Sequence, residues 1–185
     1  MNLLGYDWPH LHAALNELPA ALLFVTVLFD FGALVTGRES LRATALWTLW
    51  AGVLGGWLAV IAGQQAERVI DHGDALHELM ETHETAAITT MSIFTVVLGY
   101  QLLRGSRMSR REGLALRALS IAGFVGIIWT GRIGGQMLFE HAAGVPTATL
   151  QTEMLDRAKG HHHHGHGVPD TDHDTAQDTA ASRHP

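Results

Sequence analysis

The segment that decides the fold is ATALWTLWAGVLGGWLAVIAG, Ala43 to Gly63, in which no residue carries a charge. A helix needs roughly 20 mostly apolar residues, each rising about 1.5 Å, to cross the hydrocarbon core of a bilayer. Apolar side chains surround this helix on all sides instead of forming one stripe, which argues against a helix of a soluble bundle. The segment therefore predicts a membrane-spanning helix.

Three further segments have the same character, and the four predicted spans cover residues 19–36, 43–63, 85–103 and 114–133. The first span contains Asp30, and the fourth contains Arg117, whose long side chain can extend to the membrane surface. We expect Pro19 to be the first residue of its span, because a fixed φ and a missing N–H suit that position. The predicted fold class is an all-α integral membrane four-helix bundle.

Length and composition bound the domain organisation. The chain has 185 residues, enough for one domain, and its apolar segments end before Val145. We predict a four-helix transmembrane domain over residues 1–145 and a polar, His-rich tail over residues 146–185. A short amphipathic helix is expected near Gln151 to Lys159, and the rest of the tail is predicted to be disordered.

The absence of cysteine excludes disulfides, iron–sulfur clusters and covalent haem attachment. No block of like charge indicates a nucleic-acid partner.

Arginine residues indicate how the bundle is oriented in the lipid bilayer. The first and third connections contain Arg38, Arg42, Arg104, Arg107, Arg110 and Arg111. The second connection, residues 64–84, is acidic and has only Arg68. By the positive-inside bias the arginine-rich connections are cytoplasmic. We therefore expect a multi-pass protein of the bacterial inner membrane with both termini on the periplasmic side. The N-terminus lacks the basic region of a cleaved signal.

Histidine is the most distinctive residue type of the chain. With this topology all 13 histidines lie on the periplasmic side. Six of them precede the tail: His10, His12, His72, His77, His83 and His141. For any single histidine, a purely structural bond to a backbone carbonyl at the membrane interface is an equal alternative to a functional role. Six on one side of the membrane favour a function for at least some of them.

Helical spacing selects among these histidines. A helix that starts after Gly73 places His83 on the same face as Met80 and Ala87, so His83 is predicted to point into the outer mouth of the bundle. His10 and His12 lie about 200° apart on a helix, so only one of them can face the interior. His83 is therefore the first candidate ligand.

Two charged residues near the membrane are further candidates. Asp30 is an intramembrane carboxylate, which is costly in a bilayer and needs a polar partner, here expected to be Arg38, Arg42 or Thr44. Its role is either a proton or ion relay or a structural lock between the first two helices, and the lock is favoured because the carboxylate stands alone. Arg132, near the outer surface, either holds an anion such as a haem propionate or anchors the helix end.

The tail contains a separate candidate for metal binding. Its tract comprises His161, His162, His163, His164 and His166. Imidazole nitrogens suit copper, zinc or nickel, and a disordered tract suits the buffering of such ions better than catalysis. Nineteen residues follow the tract, which favours a native tract over a purification tag.

Three pieces of the sequence carry a family resemblance. They are His10-Leu11-His12 with the following Leu18 to Leu23 and Asp30, then His83 at the start of the third span, and finally GGQMLFEHAAGV, Gly134 to Val145. Together they resemble a bacterial membrane family catalogued as domain of unknown function 2231, over Met1 to about Val145. The last piece departs from the family pattern at Gln136, Phe139 and Ala142. The family has no settled biochemical role, and the association of its members with electron-transfer proteins implies a redox function.

The histidines support three hypotheses for function. The first is a redox protein in which b-type haem is held by His83 and either His12 or His141, with Arg132 nearby, and exchanges electrons with a periplasmic c-type cytochrome. The second is binding or delivery of Cu, Zn or Ni by these histidines, His10 and the tail tract. The third is a non-catalytic subunit of a larger membrane complex. The resemblance favours the first hypothesis. No nucleotide-binding, hydrolase or zinc-protease motif is present, so an ordinary enzyme is not expected.

Overall fold

The computed structural model describes residues 6–160, which form a succession of helices. The helices are α1 (Trp8–Thr36), α2 (Glu39–Glu67), α3 (Asp74–Arg104), α4 (Arg110–His141) and α5 (Thr147–Ala158), with a 3₁₀ turn at Gly105–Arg107. The predicted metal-binding tract and the predicted disorder of the tail fall on residues 161–185, outside the described residues.

Helices α1 to α4 are each long and apolar enough to cross a membrane. This confirms the predicted all-α membrane bundle. Each helix has 29 to 32 residues and is longer than its predicted span, because polar turns continue the backbone hydrogen bonding past the apolar segment. At the start of α4, for example, Ser109 accepts from the Glu112 N–H while the Glu112 carboxylate accepts from the Ser109 N–H.

Pro19 lies inside α1, so the prediction that it begins the helix is wrong. A proline in a helix interior removes one hydrogen bond, but transmembrane helices tolerate this when a neighbouring helix packs closely. The Pro19 ring packs on Gly55 of α2, where an added Cβ would lie 3.0 Å from the proline Cγ. The helix is therefore continuous from Trp8, and His12 and Asp30 lie about 27 Å apart along it.

The four long helices pack as two hairpins. The first hairpin pairs α1 with α2, the second pairs α3 with α4, and the hairpins meet through α2 with α3 and through α1 with α4. Helices α1 and α3 are therefore diagonal to each other in the bundle. The most deeply buried side chains of its core are Leu23, Leu49, Phe94 and Val97, one from each of α1 and α2 and two from α3.

The second hairpin repeats helix contacts of the first hairpin 71 residues later in the sequence. Position 123 corresponds to position 52, and position 94 corresponds to position 23. The matched contacts are Gly52 on Leu23 with Gly123 on Phe94, and Gly55 on Pro19 with Gly126 on Thr90. In each contact a glycine of the second helix receives a side chain of the first, which lets the backbones approach closely. The two hairpins run in the same direction, so a pseudo-twofold axis along the bundle relates them.

Asp30 pairs with Arg117 of α4, so the predicted partners Arg38, Arg42 and Thr44 are wrong. The Arg117 Nε lies 3.0 Å from Asp30 Oδ2, with the two side chains 21% and 18% exposed. Arg42 instead pairs with Glu39 within the first turn of α2. Arg117 reaches Asp30 because α1 packs against α4 as well as α2. The pair therefore locks the first helix to the fourth, not to the second.

Contacts divide the chain into two compact units, Met1–Val145 and Pro146–Pro185. The described part of the second unit is α5, which covers most of the short helix predicted near Gln151 to Lys159. Its Met154 and Leu155 side chains are exposed. The cavity and side chains that form the candidate site belong to the first unit.

Candidate functional site

A cavity of about 600 Å³ lies between the two hairpins, lined by the beginnings of α1 and α3 and the ends of α2 and α4. We call this end of the bundle the histidine end. Small residues of α2 and α4 leave the space free: Gly56, Ala59, Gly63, Ala66, Gly131, Gly134 and Gly135. The volume is within the roughly 300–1,000 Å³ of pockets that hold small molecules and cofactors.

His12 lines the cavity from α1 and is partly buried. Its Nδ1 lies 2.9 Å from the Ala59 carbonyl oxygen of α2. Its ring packs against Gly63, where an added Cβ would lie 3.0 Å from Cε1. Helix α2 thus holds the imidazole by one hydrogen bond and one contact that only glycine permits.

His83 lines the cavity from α3 and is held in the same way by α4. Its Nδ1 lies 3.1 Å from the Thr130 carbonyl oxygen, and its ring packs against Gly134, where an added Cβ would lie 3.2 Å from Cε1. Each of these three residues follows its counterpart in the first hairpin by the same 71 positions. The two histidines are therefore equivalent members of the repeated hairpins.

The two imidazoles face each other across the centre of the bundle. Their ring centroids are 6.3 Å apart and their planes are inclined by 88°, although they come from diagonal helices. A carbonyl oxygen only accepts, so Nδ1 of each ring is the protonated nitrogen that donates to it. In a neutral ring with this tautomer Nε2 keeps its lone pair, which is the form in which histidine binds a metal.

The two other predicted site histidines before the tail, His10 and His141, do not join this pair, although His10 also lines the cavity. His10 is exposed, and its Nδ1 and backbone N–H both donate to Asp7, the N-cap of α1. The side-chain hydrogen bond from His10 lowers the pKa of the Asp7 carboxyl below its usual value. His141 is the exposed last residue of α4. Neither side chain approaches the facing pair closely enough to complete a group of three ligands.

Arg132 is exposed and stacks on its own helix. Its guanidinium lies 5.8 Å from the centroid of the Trp129 ring, and Arg132 is not among the residues that line the cavity. This geometry is a cation–π contact of an exposed side chain. Arg132 therefore does not contact the cavity, and its role in holding an anion stays a prediction.

Residues 6–160 contain no group of three or more His, Asp or Glu side chains placed to hold a metal ion. The candidate site of this part of the chain is a pair of imidazoles. The tract of His161 to His164 with His166 lies outside the described residues, so its predicted metal binding stays a prediction.

Sequence reasoning identified both imidazoles but missed what holds them. The carbonyl acceptors Ala59 and Thr130 and the glycines Gly63 and Gly134 carry no chemical signature of their own. A comparison of the sequence with itself at an offset of 71 could have found them, because it aligns both histidines and also Gly52, Gly55 and Gly63 with glycines.

A family model described as "Predicted membrane protein (DUF2231)" matches residues 9–147. This range includes all four long helices except the first residue of α1, and every residue that lines the cavity. Neither a curated protein nor a solved structure matches the chain.

Proposed function

Since this chain belongs to the DUF2231 family of predicted membrane proteins, as its motifs predict, and its bundle contains a facing imidazole pair, we propose that it is an integral membrane electron-transfer protein. In this proposal His12 and His83 would hold a non-covalently bound b-type haem through their imidazole nitrogens. The haem supplies one-electron chemistry at its iron, while the protein supplies the ligands and the apolar surroundings.

The spacing of the two rings is the observation that carries the proposal. A metal–imidazole bond of about 2.0 Å puts the metal about 3.15 Å from the ring centroid, so two imidazoles on opposite sides of one metal have centroids about 6.3 Å apart. The rings of His12 and His83 have this separation. A tetrahedral arrangement around one ion would bring the centroids to about 5 Å, using the same bond length. The spacing therefore leaves room for one metal between the two imidazoles.

The number of ligands also favours haem over a bare ion. Zinc sites use three or four protein ligands, and residues 6–160 offer no group of three. A porphyrin brings four nitrogens of its own and leaves two axial positions for imidazoles. A zinc site with three or four protein ligands would therefore need the tail histidines as well, whereas the haem proposal needs only the pair.

The surroundings of the pair fit a flat apolar ligand. Gly63 and Gly134 remove side chains beside the two rings, and the cavity continues between α2 and α4 along glycines and alanines. Hydrogen bonds from Nδ1 to backbone carbonyls orient the rings, as they do for most metal-bound histidines. Since these bonds join residues within one hairpin, the imidazoles are oriented before any ligand arrives.

The expected location and partner follow from the charges. We place the histidine end on the periplasmic side of the bacterial inner membrane, with both termini there, because the opposite end has the arginine-rich connections. There the haem would exchange one electron at a time with the haem of a soluble c-type cytochrome, one iron being oxidised as the other is reduced.

The test is the visible spectrum of the protein purified in mild detergent without an added tag, after incubation with haemin and removal of the excess. We expect a Soret band that sharpens with dithionite, together with the α and β bands of six-coordinate b-type haem. His12→Ala and His83→Ala should each abolish the six-coordinate spectrum, because each removes one axial ligand.

Three control variants distinguish the pair from other histidines. His10→Ala, two residues from His12, and His141→Ala, at the end of α4, should keep the wild-type spectrum because the His10 ring bonds to Asp7 and the His141 side chain is exposed. Replacement of the five tract histidines by Asn should also keep it. A featureless spectrum refutes the proposal, and metal that disappears with the tract would instead support ion binding by the tail.

A further inference from the structure

The two seams between the hairpins differ at the level of the imidazole pair. Helices α2 and α3 form one seam and α1 and α4 form the other. The pseudo-twofold axis relates the seams, so each position of one has a counterpart in the other. Any difference in side chains between counterparts therefore makes one side of the cavity unlike the other.

The α2–α3 seam is closed by polar side chains. The Gln64 Nε2 donates to Glu84 Oε1 at 2.7 Å, and both residues line the cavity beside the histidines. Two turns deeper, the Trp57 Nε1 donates to Thr95 Oγ1 at 2.9 Å. These two hydrogen bonds join α2 to α3 next to the cavity and below it.

The α1–α4 seam lacks this closure. The counterparts of Glu84 and Gln64, found 71 positions away, are Ala13 and Gly135, and both line the cavity. No atom of another part of residues 6–160 lies within 4 Å of a Cβ built on Gly135. Ala13 is exposed, whereas Glu84 is partly buried. A hydrogen bond between side chains is chemically impossible at these two positions.

Three contacts that join α1 to α4 or to the turn after α4 lie above and below this level. The Phe24 and Phe124 rings stack with centroids 5.2 Å apart, and the ion pair of Asp30 lies further toward the other end. Phe24 is about 18 Å along α1 from His12. Beyond the helices, Gly144 lies near Pro9, whose Cβ would be 3.7 Å from an added Cβ on the glycine. The gap at Ala13 and Gly135 is therefore bounded at both ends.

We propose that the gap between α1 and α4 at Ala13 and Gly135 is the entrance through which a flat, apolar ligand passes edgewise between the two imidazoles. The inference rests on the proposed haem site and adds the route of entry. A seam of a membrane bundle faces the bilayer or its interface, where an amphipathic porphyrin partitions. The closed seam keeps the ligand from leaving on the other side.

The first experiment measures entry without haem. The chain has no cysteine, so a single introduced thiol can be followed alone. Gly131→Cys and Val60→Cys place thiols at counterpart positions of the cavity lining, next to the open and the closed seam, and leave Gln64 and Glu84 in place. In phosphatidylcholine nanodiscs, we expect N-pyrenylmaleimide to label Gly131→Cys much faster than Val60→Cys.

The second experiment transfers the closure to the open seam. Ala13→Glu with Gly135→Gln rebuilds the Glu84 and Gln64 pair on the other side. Haemin uptake by the ligand-free protein should slow about tenfold or more, because opening the seam then requires breaking a hydrogen bond to a carboxylate. Phe139→Gln, at an exposed α4 residue outside the cavity lining, should take up haemin at the wild-type rate.

A rescue variant separates seam closure from damage to the fold. Adding Glu84→Ala and Gln64→Gly to the slowed double variant opens the α2–α3 seam and should restore fast uptake. Failure of this rescue, or uptake unchanged by the double variant, overturns the inference.

The outcomes also distinguish this inference from the haem proposal. Equal labelling of the two cysteines, with wild-type haem binding intact, refutes the entrance and leaves the haem site. Unequal labelling with no haem binding refutes the haem site and leaves an entrance for another flat ligand. Disulfide-linked dimers of Gly131→Cys would show that the gap is a contact between copies, which overturns the entrance.

Discussion

Gly123→Ala tests how tightly the repeated glycine contacts pack the two hairpins. A Cβ at position 123 would lie 2.8 Å from the Phe94 Cε2 and 2.9 Å from its Cζ. Ordinary contacts begin near 3.4 Å, so one side must move by about half an ångström. Phe94 is completely buried and cannot turn away, so the helices themselves must separate.

The expected change in the free energy of unfolding follows from two opposing contributions. Alanine is favoured over glycine in a helix interior by about 0.8–1 kcal/mol, whereas overpacking a close-packed interior costs about 1–3 kcal/mol. Gly99→Ala supplies the matched control, since Gly99 is interior to α3 and nothing lies within 4 Å of its added Cβ. The propensity gain is common to both variants, so Gly123→Ala should be less stable than Gly99→Ala by about 1–3 kcal/mol.

The assay is reversible unfolding in mixed micelles of dodecyl maltoside and dodecyl sulfate, followed by far-ultraviolet circular dichroism. Gly52→Ala should behave like Gly123→Ala, because its Cβ would lie 2.8 Å from Leu23, the counterpart of Phe94. If Gly123→Ala unfolds at the same midpoint as Gly99→Ala, the close contact does not stabilise the bundle and the reasoning is refuted.

Three further predictions concern the ends of the bundle and the imidazole pair. Asp30→Asn leaves Arg117 without its carboxylate and should lower the free energy of unfolding by about 1–3 kcal/mol. In a double-mutant cycle, the double variant with Arg117→Gln should regain part of that loss. The folded pKa of Asp7 is lowered, so its cap contributes stability above the ordinary carboxyl pKa and loses it as pH falls through the folded pKa. The protection of the amides in the first turn of α1, relative to their intrinsic exchange rates at each pH, should therefore fall in acid, and Asp7→Asn should remove this pH dependence. Gly63→Ala should displace the His12 ring by a few tenths of an ångström and weaken haem binding about 10- to 100-fold, measured by titration against Gly99→Ala.

Hydropathy was sufficient to predict the four spans, because a bilayer imposes one simple requirement on composition and length. It could not place the helix ends, since polar turns outside the hydrocarbon core still form helix. Pro19 was misplaced because its usual preference for helix starts competes with packing, and the glycine that receives its ring is distant in sequence. The partner of Asp30 was missed for a related reason: sequence proximity favoured α2, while the contact is made by α4.

The candidate site was predictable in part. Helical spacing pointed to His83 and allowed only one of His10 and His12 to face inward, but it could not choose between those two. The choice follows from α2, which presents the carbonyl oxygen of Ala59 and a glycine one turn later, at Gly63, to the His12 ring. Carbonyls and glycines have no signature in hydropathy or charge. Only the repetition of the hairpin makes them visible in the sequence.

The repeat also explains why ligand binding and assembly of the bundle should be linked. Each hairpin orients one imidazole by a bond within itself, at His12 and at His83, so neither hairpin alone can offer two ligands. A ligand held by both binds only when the hairpins are associated, and it stabilises that state by an amount that grows with its concentration. At 100 times its dissociation constant the gain is about 2.7 kcal/mol. The cavity separates the hairpins at the histidine end and removes contacts there, and a bound haem would replace them.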